Sequence, residues 1–468
     1  MFHLLKRPLA VVLSAATFTA FTLAPVANAQ AACQYVLGFA EFQGAIPTVV
    51  GQCAGPVVHN AQGDGYQLTA NGVLVWRKAT NFTGFSDGSN IWYATPTGVR
   101  AVRAGAAADL REALSKLLSE HAFLAAVAMQ KGYDGAPDFP AAAAQLDQNS
   151  LALAAAISSV YGEAAGQQFL VQWREHIRMF VDFTVGTATK DEAKRRQALA
   201  ELAAYRTSFA AFLNRANPNL PTNVVADLLQ EHVNQLASAL DTYTVGNYAL
   251  TCALVSEAHK HMFKTGAGLA GGIAQQFPDR FPGNPNAPAA ELRLALDQLL
   301  SEHADLAAIT MQKGVTGAKD FPAWADQLDR NSLALTDAIR SVYGDAAAQQ
   351  FLVQWREHIR MFVDFTVGTA TKDEAKRRQA LAELTAYRTS FAAFLNTANP
   401  FLPQEAAAGL LQEHIGQLST ALDSYVQGNY AQTYRLISES HSHMFMTGTG
   451  LAGAIVKQFP DRFIPSGM

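Results

Sequence analysis

QQFLVQWREHIRMFVDFTVGTATKDEAKRRQALAEL, from Gln167 to Leu202, occurs again without a single change from Gln349 to Leu384. Within it Phe169, Trp173, His176, Met179, Phe180 and Phe183 recur at steps of three and four residues, the period of one helix face. Working outward, Ser119-Glu120-His121-Ala122 returns as Ser301-Glu302-His303-Ala304, and the offset, 303 − 121 = 182, holds from there to the C-terminus without a gap. Identity of this length points to a tandem duplication, so both halves should share a fold and a task.

The copies span 106–281 and 290–463. Phe277-Pro278-Asp279-Arg280-Phe281 closes the first and Phe459-Pro460-Asp461-Arg462-Phe463 the second. Pro282 to Pro288, within a linker at 282–289, is short and stiffened by proline. Each copy is long enough for its own core. Apolar stripes with breaks at Lys131-Gly132, Tyr161-Gly162, Gly186 to Lys190, Asn217-Pro218 and Gly246-Asn247 predict six helices per copy. The fold class is therefore mainly α: tandem duplicated six-helix bundles, preceded by a small disulfide-bonded β module.

A finer repeat runs inside each copy. Glu-His occurs at Glu120-His121, Glu175-His176 and Glu231-His232, at steps of 176 − 121 = 55 and 232 − 176 = 56. Each pair falls on the first helix of a hairpin. The returning helices carry Asn149, Tyr205 and His259 at similar distances. Three hairpins per copy, each sending a polar side chain toward a shared interior, is the simplest reading.

The N-terminal residues have another character. Lys6 and Arg7, the apolar run Leu9 to Leu23, and Ala27-Asn28-Ala29 make a secretory signal of residues 1–29, cut before Gln30. The mature chain is then secreted or lodged in the cell envelope. Residues 31–102 are rich in Gly, Thr, Val and aromatics, with turn signals at Asn71-Gly72 and Asp87-Gly88, and predict a small antiparallel β module. Cys33 and Cys53 should form its disulfide. Cys252 has Tyr434 as its counterpart, so it reads as a buried, unreactive thiol. Trp76 and Trp92 fit a tryptophan core; the alternative is a platform that stacks on glycan.

Loss of Lys6 and Arg7 leaves 35 − 2 = 33 basic residues against 39 acidic ones, a net charge of −6. That argues against nucleic acid as a partner. No later stretch is long and uncharged enough to predict a membrane span. Gly-x-Ser-x-Gly, His-Glu-x-x-His, phosphate-loop and dinucleotide signatures are missing, so an enzyme is the weaker expectation.

The chemistry-bearing residues are histidines and methionines on apolar stripes. His121, His176, His232 and His259 are candidate metal ligands in the first copy, with Met179 and Met262 each one turn from a histidine. His303, His358, His414 and His441, with Met361 and Met444, repeat the set. Imidazole with thioether and no thiolate suits copper. The four histidines of each copy are expected to converge on one ion; otherwise they are core histidines bonded to backbone. His261 lies on another face. Glu and His adjacent in sequence point about 100° apart, unlike the Glu-x-x-His spacing of di-iron bundles, so a ferritin-type oxidase is not expected.

Two resemblances sharpen this picture. Leu74 to Asn81, with Phe85-Ser86-Asp87-Gly88 and Trp92, resembles a small accessory module of exported proteins of actinobacteria and related bacteria. Leu118-Ser119-Glu120-His121, Met129-Gln130-Lys131-Gly132, Trp173-Arg174-Glu175-His176, Phe180-Val181-Asp182-Phe183 and Gln276-Phe277-Pro278 resemble uncharacterised helical repeats of exported Gram-positive proteins. Some of these are labelled copper amine oxidase domain proteins. Amine oxidases form their quinone from Tyr in Asn-Tyr-(Asp/Glu)-Tyr, whereas Asn247-Tyr248 is followed here by Ala249-Leu250 and Asn429-Tyr430 by Ala431-Gln432. The resemblance therefore implies an exported helical domain and not that enzyme. Two functional expectations result: a protein binding a transition metal, most plausibly copper, or a structural or adhesive envelope protein whose β module contacts wall or glycan.

Overall fold

The computed structural model describes residues 33–465; the expected signal segment lies outside them. The described part opens with two short helices, α1 (Leu37–Ala45) and α2 (Pro47–Val50), which the sequence pattern does not announce. A six-stranded antiparallel meander follows: β1 (Val58–His59), β2 (Gly65–Leu68), β3 (Val73–Arg77), β4 (Phe82–Ser86), β5 (Ile91–Thr95) and β6 (Gly98–Val102). Asn71-Gly72 and Asp87-Gly88 turn the chain between strands, as expected. The Cys33–Cys53 disulfide, with Cα atoms 5.7 Å apart, ties the first described residue to the sheet. The core of the module is Phe39, Phe42, Val50, Leu74, Phe85 and Trp92, with Trp76 packed at its edge. Trp92 is thus a core residue beside Phe85, and Trp76 bonds Asn81 through its indole N–H.

The rest is helical. The first copy contains α3 (Gly105–Asp134), α4 (Phe139–Tyr161), α5 (Glu163–Thr189), α6 (Glu192–Ala216), α7 (Thr222–Thr244) and α8 (Tyr248–Gln276). The second contains α9 (Pro288–Thr316), α10 (Phe321–Thr371), α11 (Glu374–Ala398), α12 (Gln404–Val426) and α13 (Tyr430–Gln458). Gly344, at φ 81°, bends α10 into two arms that match α4 and α5; its counterpart Gly162, at φ 90°, separates those two helices. Both copies therefore have the six helical arms that the stripes predict.

In each copy the first helix packs along the last, α3 on α8 and α9 on α13. Close approach comes from glycine: a Cβ on Gly266 of α8 would sit 2.5 Å from Ser115 Oγ and 3.0 Å from the Ser115 backbone nitrogen. The copies are not separate bodies. One hydrophobic core includes residues from Ala107 to Ile455 of both, where the sequence suggested one core per copy. Helix α13 lies against α4, and α8 against α10. Across this contact Phe263 and Phe445 stack, with ring centroids 5.8 Å apart and planes 4° from parallel. The β module docks on the second copy, with Ile91 on Ala289 and Val456, and Arg77 bonded to Asp461 and the Gln458 carbonyl. Among the described residues no helix is long and apolar enough to cross a membrane.

Candidate metal centres

Helices α3, α5 and α7, the first members of the three hairpins, point His121, His176 and His232 into one place. The identical arrangement of His303, His358 and His414 is built by α9, the second arm of α10, and α12. His121 Nε2 and His176 Nε2 are 3.3 Å apart, and His303 Nε2 and His358 Nε2 3.4 Å. The third ring of each triad lies 5.7 Å, centroid to centroid, from the first. One nitrogen from every residue of a triad falls within 4.8 Å of those of the others. Three imidazoles about 2.0–2.1 Å from a single ion hold their nitrogens roughly 3.3–3.6 Å apart, so one pair in each triad already has the spacing a metal needs.

The surroundings are aromatic. Trp173 lies 4.8 Å from His121 and 4.5 Å from His176, Tyr205 stacks on His176 at 5.4 Å, and Phe180 meets His232 edge-on. Trp355, Tyr387 and Phe362 repeat this shell. All six triad histidines are buried. Burial lowers their pKa: His176, His232, His358 and His414 fall to about 3, and His121 and His303 go well below their usual value; neighbouring imidazoles add to the effect at His121, His232, His303 and His414. Neutral imidazole is the form that binds metal. Neither nitrogen of His232 or of His414 has a hydrogen-bond partner among the described residues. A buried imidazole normally gives its N–H to a carbonyl or carboxylate, so these nitrogens are free to meet a ligand.

Voids adjoin both triads. A void of about 10 Å³ borders His176 and His232, and one of about 20 Å³ borders His358 and His414. In the second copy a larger, mainly apolar cavity of about 490 Å³ reaches His303 and His358 from the side of Lys319 and Val367, with Met311 and Phe362 in its wall. It supplies a path along which an ion or a small molecule can reach that triad.

The sequence expected four convergent histidines per copy; the structure corrects this. His259 does not join His121, His176 and His232, and His441 does not join the triad of the second copy. They lie on α8 and α13, helices whose inner faces look toward the other copy, and they meet each other there with ring centroids 5.9 Å apart. Asp305 of α9 completes that third group. Asp305 was missed from the sequence, although its counterpart at 305 − 182 = 123 is Phe123, an apolar-to-acid change on a buried stripe. His261 and His443 are structural: each ring bonds a backbone oxygen, Leu228 O or Leu410 O, at 2.9 Å.

The other candidates fall into place. Met179, Met262, Met361 and Met444 are buried in the helical core; the close approaches that define the centres are between imidazoles and one carboxylate. Glu120 accepts from Asn149 at 2.9 Å, and Glu302 from Asn331 at 3.0 Å, so these acids brace the α3–α4 and α9–α10 contacts. Glu175 is exposed and pairs with Arg178. No protein-family model, curated protein or solved structure matches the chain.

Proposed function

We propose that this is an exported metal-binding protein that holds one copper ion in each three-histidine centre. The observation that carries the reading is the pair His232 and His414, buried with both nitrogens unpartnered beside two neutral imidazoles. An all-imidazole donor set in an apolar shell suits copper and zinc, and the reading commits to copper. The disulfide of the β module agrees with an oxidising location, and the likeness to exported helical repeats supports the same view. The assignment is to binding. No substrate chemistry is attached to it.

The test is metal content. Untagged mature protein, dialysed against copper and then against buffer, should retain one equivalent at each triad. His176→Ala should remove the equivalent of the first copy alone, and His358→Ala that of the second, with helicity by circular dichroism unchanged. Copper retention that ignores both substitutions would overturn the proposal.

A further inference from the structure

The last helix of each copy brings its histidine not to a triad but to the junction of the two copies. His259 Nε2 lies 3.2 Å from Ser301 Oγ, and His441 Nε2 lies 3.2 Å from Ser119 Oγ. These are the same contact made in both directions, since 119 and 301 differ by the repeat offset. The junction therefore has an approximate two-fold arrangement. Position 305 breaks it: the second copy has Asp305 where the first has Phe123.

Asp305 is 2% exposed. Its Oδ2 is 3.0 Å from His441 Nδ1 and 3.8 Å from His259 Nε2. Among the described residues its Oδ1 has no partner, and neither has His259 Nδ1. His441 Nε2 also lies 3.2 Å from the Lys116 carbonyl, which can only accept, so that nitrogen carries a hydrogen. In the neutral ring Nδ1 then turns a lone pair toward the carboxylate. Two acceptors at 3.0 Å repel unless a cation lies between them. A proton answers for His441 alone. A divalent ion answers for both imidazoles and for the orphaned carboxylate oxygen at once.

We propose that His259, Asp305 and His441 form a third metal site, of a different class from the triads, that takes a divalent first-row ion such as Zn²⁺. Two imidazoles and one carboxylate are a harder donor set than three imidazoles, and they suit zinc or ferrous iron better than Cu(I). His259 comes from the first copy and Asp305 and His441 from the second. A bound ion therefore clamps α8 to α9 and α13 and ties the copies together. The site arises from the duplication: a single unduplicated copy could not assemble it from these positions. It does not depend on metal in the triads.

The experiment uses the full chain with His176→Ala and His358→Ala, which disables both triads. Chelator-treated protein is titrated with zinc, and bound metal and melting temperature are read. One equivalent of zinc and a rise in melting temperature are expected. Asp305→Asn, which keeps shape and removes charge, should abolish both, as should His259→Gln. Where the double-alanine background proves unfolded by circular dichroism, the same comparison in the otherwise native chain should show one equivalent lost on Asp305→Asn. A folded Asp305→Asn protein that binds zinc as its parent does, or a folded parent that binds none at micromolar zinc, would overturn the third site. The zinc equivalent lost on Asp305→Asn in the triad-disabled protein reports the third site alone, and the copper equivalents lost on His176→Ala and His358→Ala report the triads, so that either set can fail without the other.

Discussion

His232 is a residue that a plain hydrophobic core would tolerate poorly. It is buried, and neither ring nitrogen has a partner among the described residues. An orphaned buried polar group costs about 1–3 kcal/mol, and the same cost recurs at His414. The triads also predict how stability depends on pH. Four of their histidines have native pKa values of about 3 against 6.5 for the free side chain. Between those values the unfolded chain binds protons that the native one refuses, so stability is full above about pH 6.5 and falls as pH drops toward 3. Each such group contributes a slope of about 1.4 kcal/mol per pH unit. His441 runs the other way: burial pulls its pKa down, but the charge and hydrogen bond of Asp305 raise it above 6.5, and its contribution is lost as pH rises through that value. The six lowered triad imidazoles outnumber the groups that oppose them, His441 and the buried acids Asp297, Glu302 and Asp305, whose pKa values burial raises. Metal-free protein should therefore unfold at markedly lower urea at pH 5.0 than at pH 7.5. An unchanged or higher midpoint at pH 5.0 would contradict neutral, buried triads. The triad residues were legible because steps of 55 and 56 residues place them on equivalent helices. His259 was misassigned because periodicity fixes which face of a helix is buried but not which helix lies opposite.

At the scale of elements, the helices were readable because stripes and breaks agree: α4 and α9 open with proline in the first turn, and Gly162 and Gly344 bend the chain where the pattern stops. The helices α1 and α2 escaped notice because they are short, and only Phe39, Phe42 and Val50 of them are buried. The glycan platform was an open alternative while Trp92 could have been on the surface; its place against Phe85 makes it part of the module's core. The Cys33–Cys53 bridge closes a loop of 20 residues, worth about 3 kcal/mol to the module in the chain-entropy picture. Reduction should therefore loosen residues 33–102 first, read as faster amide exchange there than in the helices. Packing of α3 on α8 depends on Gly266. Gly266→Ala should cost about 1–3 kcal/mol, because a methyl group cannot share space with the Ser115 backbone. A melting temperature equal to that of the native protein would show that the helices separate freely.

For the whole molecule, the decisive fact is that the two copies share a core and have diverged as partners. In the first copy buried Lys131 pairs with Asp138, whose Oδ2 receives the hydroxyl of Tyr434 from the second copy at 2.8 Å. In the second copy Lys313 pairs with Asp320, whose Oδ2 receives the indole N–H of Trp324 instead, at 3.0 Å. The counterparts of Tyr434 and Trp324 are the smaller Cys252 and Ala142. Each side thus has one large residue supplying the bond and one small residue making room. Burial, with Asp320 adding to it, pushes the Cys252 thiol up to about 12, which keeps it unreactive. No stripe pattern could show this, because the compensation is between residues far apart in the chain. The full protein should unfold in one calorimetric transition. A fragment of residues 106–283 should be much less stable or should associate, since it bares Phe263 and leaves Asp138 without Tyr434. A monomeric fragment as stable as the full chain would contradict the shared core.

The claim that each copy holds its own ion is tested most directly by anomalous diffraction at the copper edge from crystals of copper-loaded protein. Two strong peaks are predicted, each about 2 Å from nitrogens of His121, His176 and His232 or of His303, His358 and His414. Peaks confined to exposed side chains such as His59, with nothing inside either triad, would contradict it.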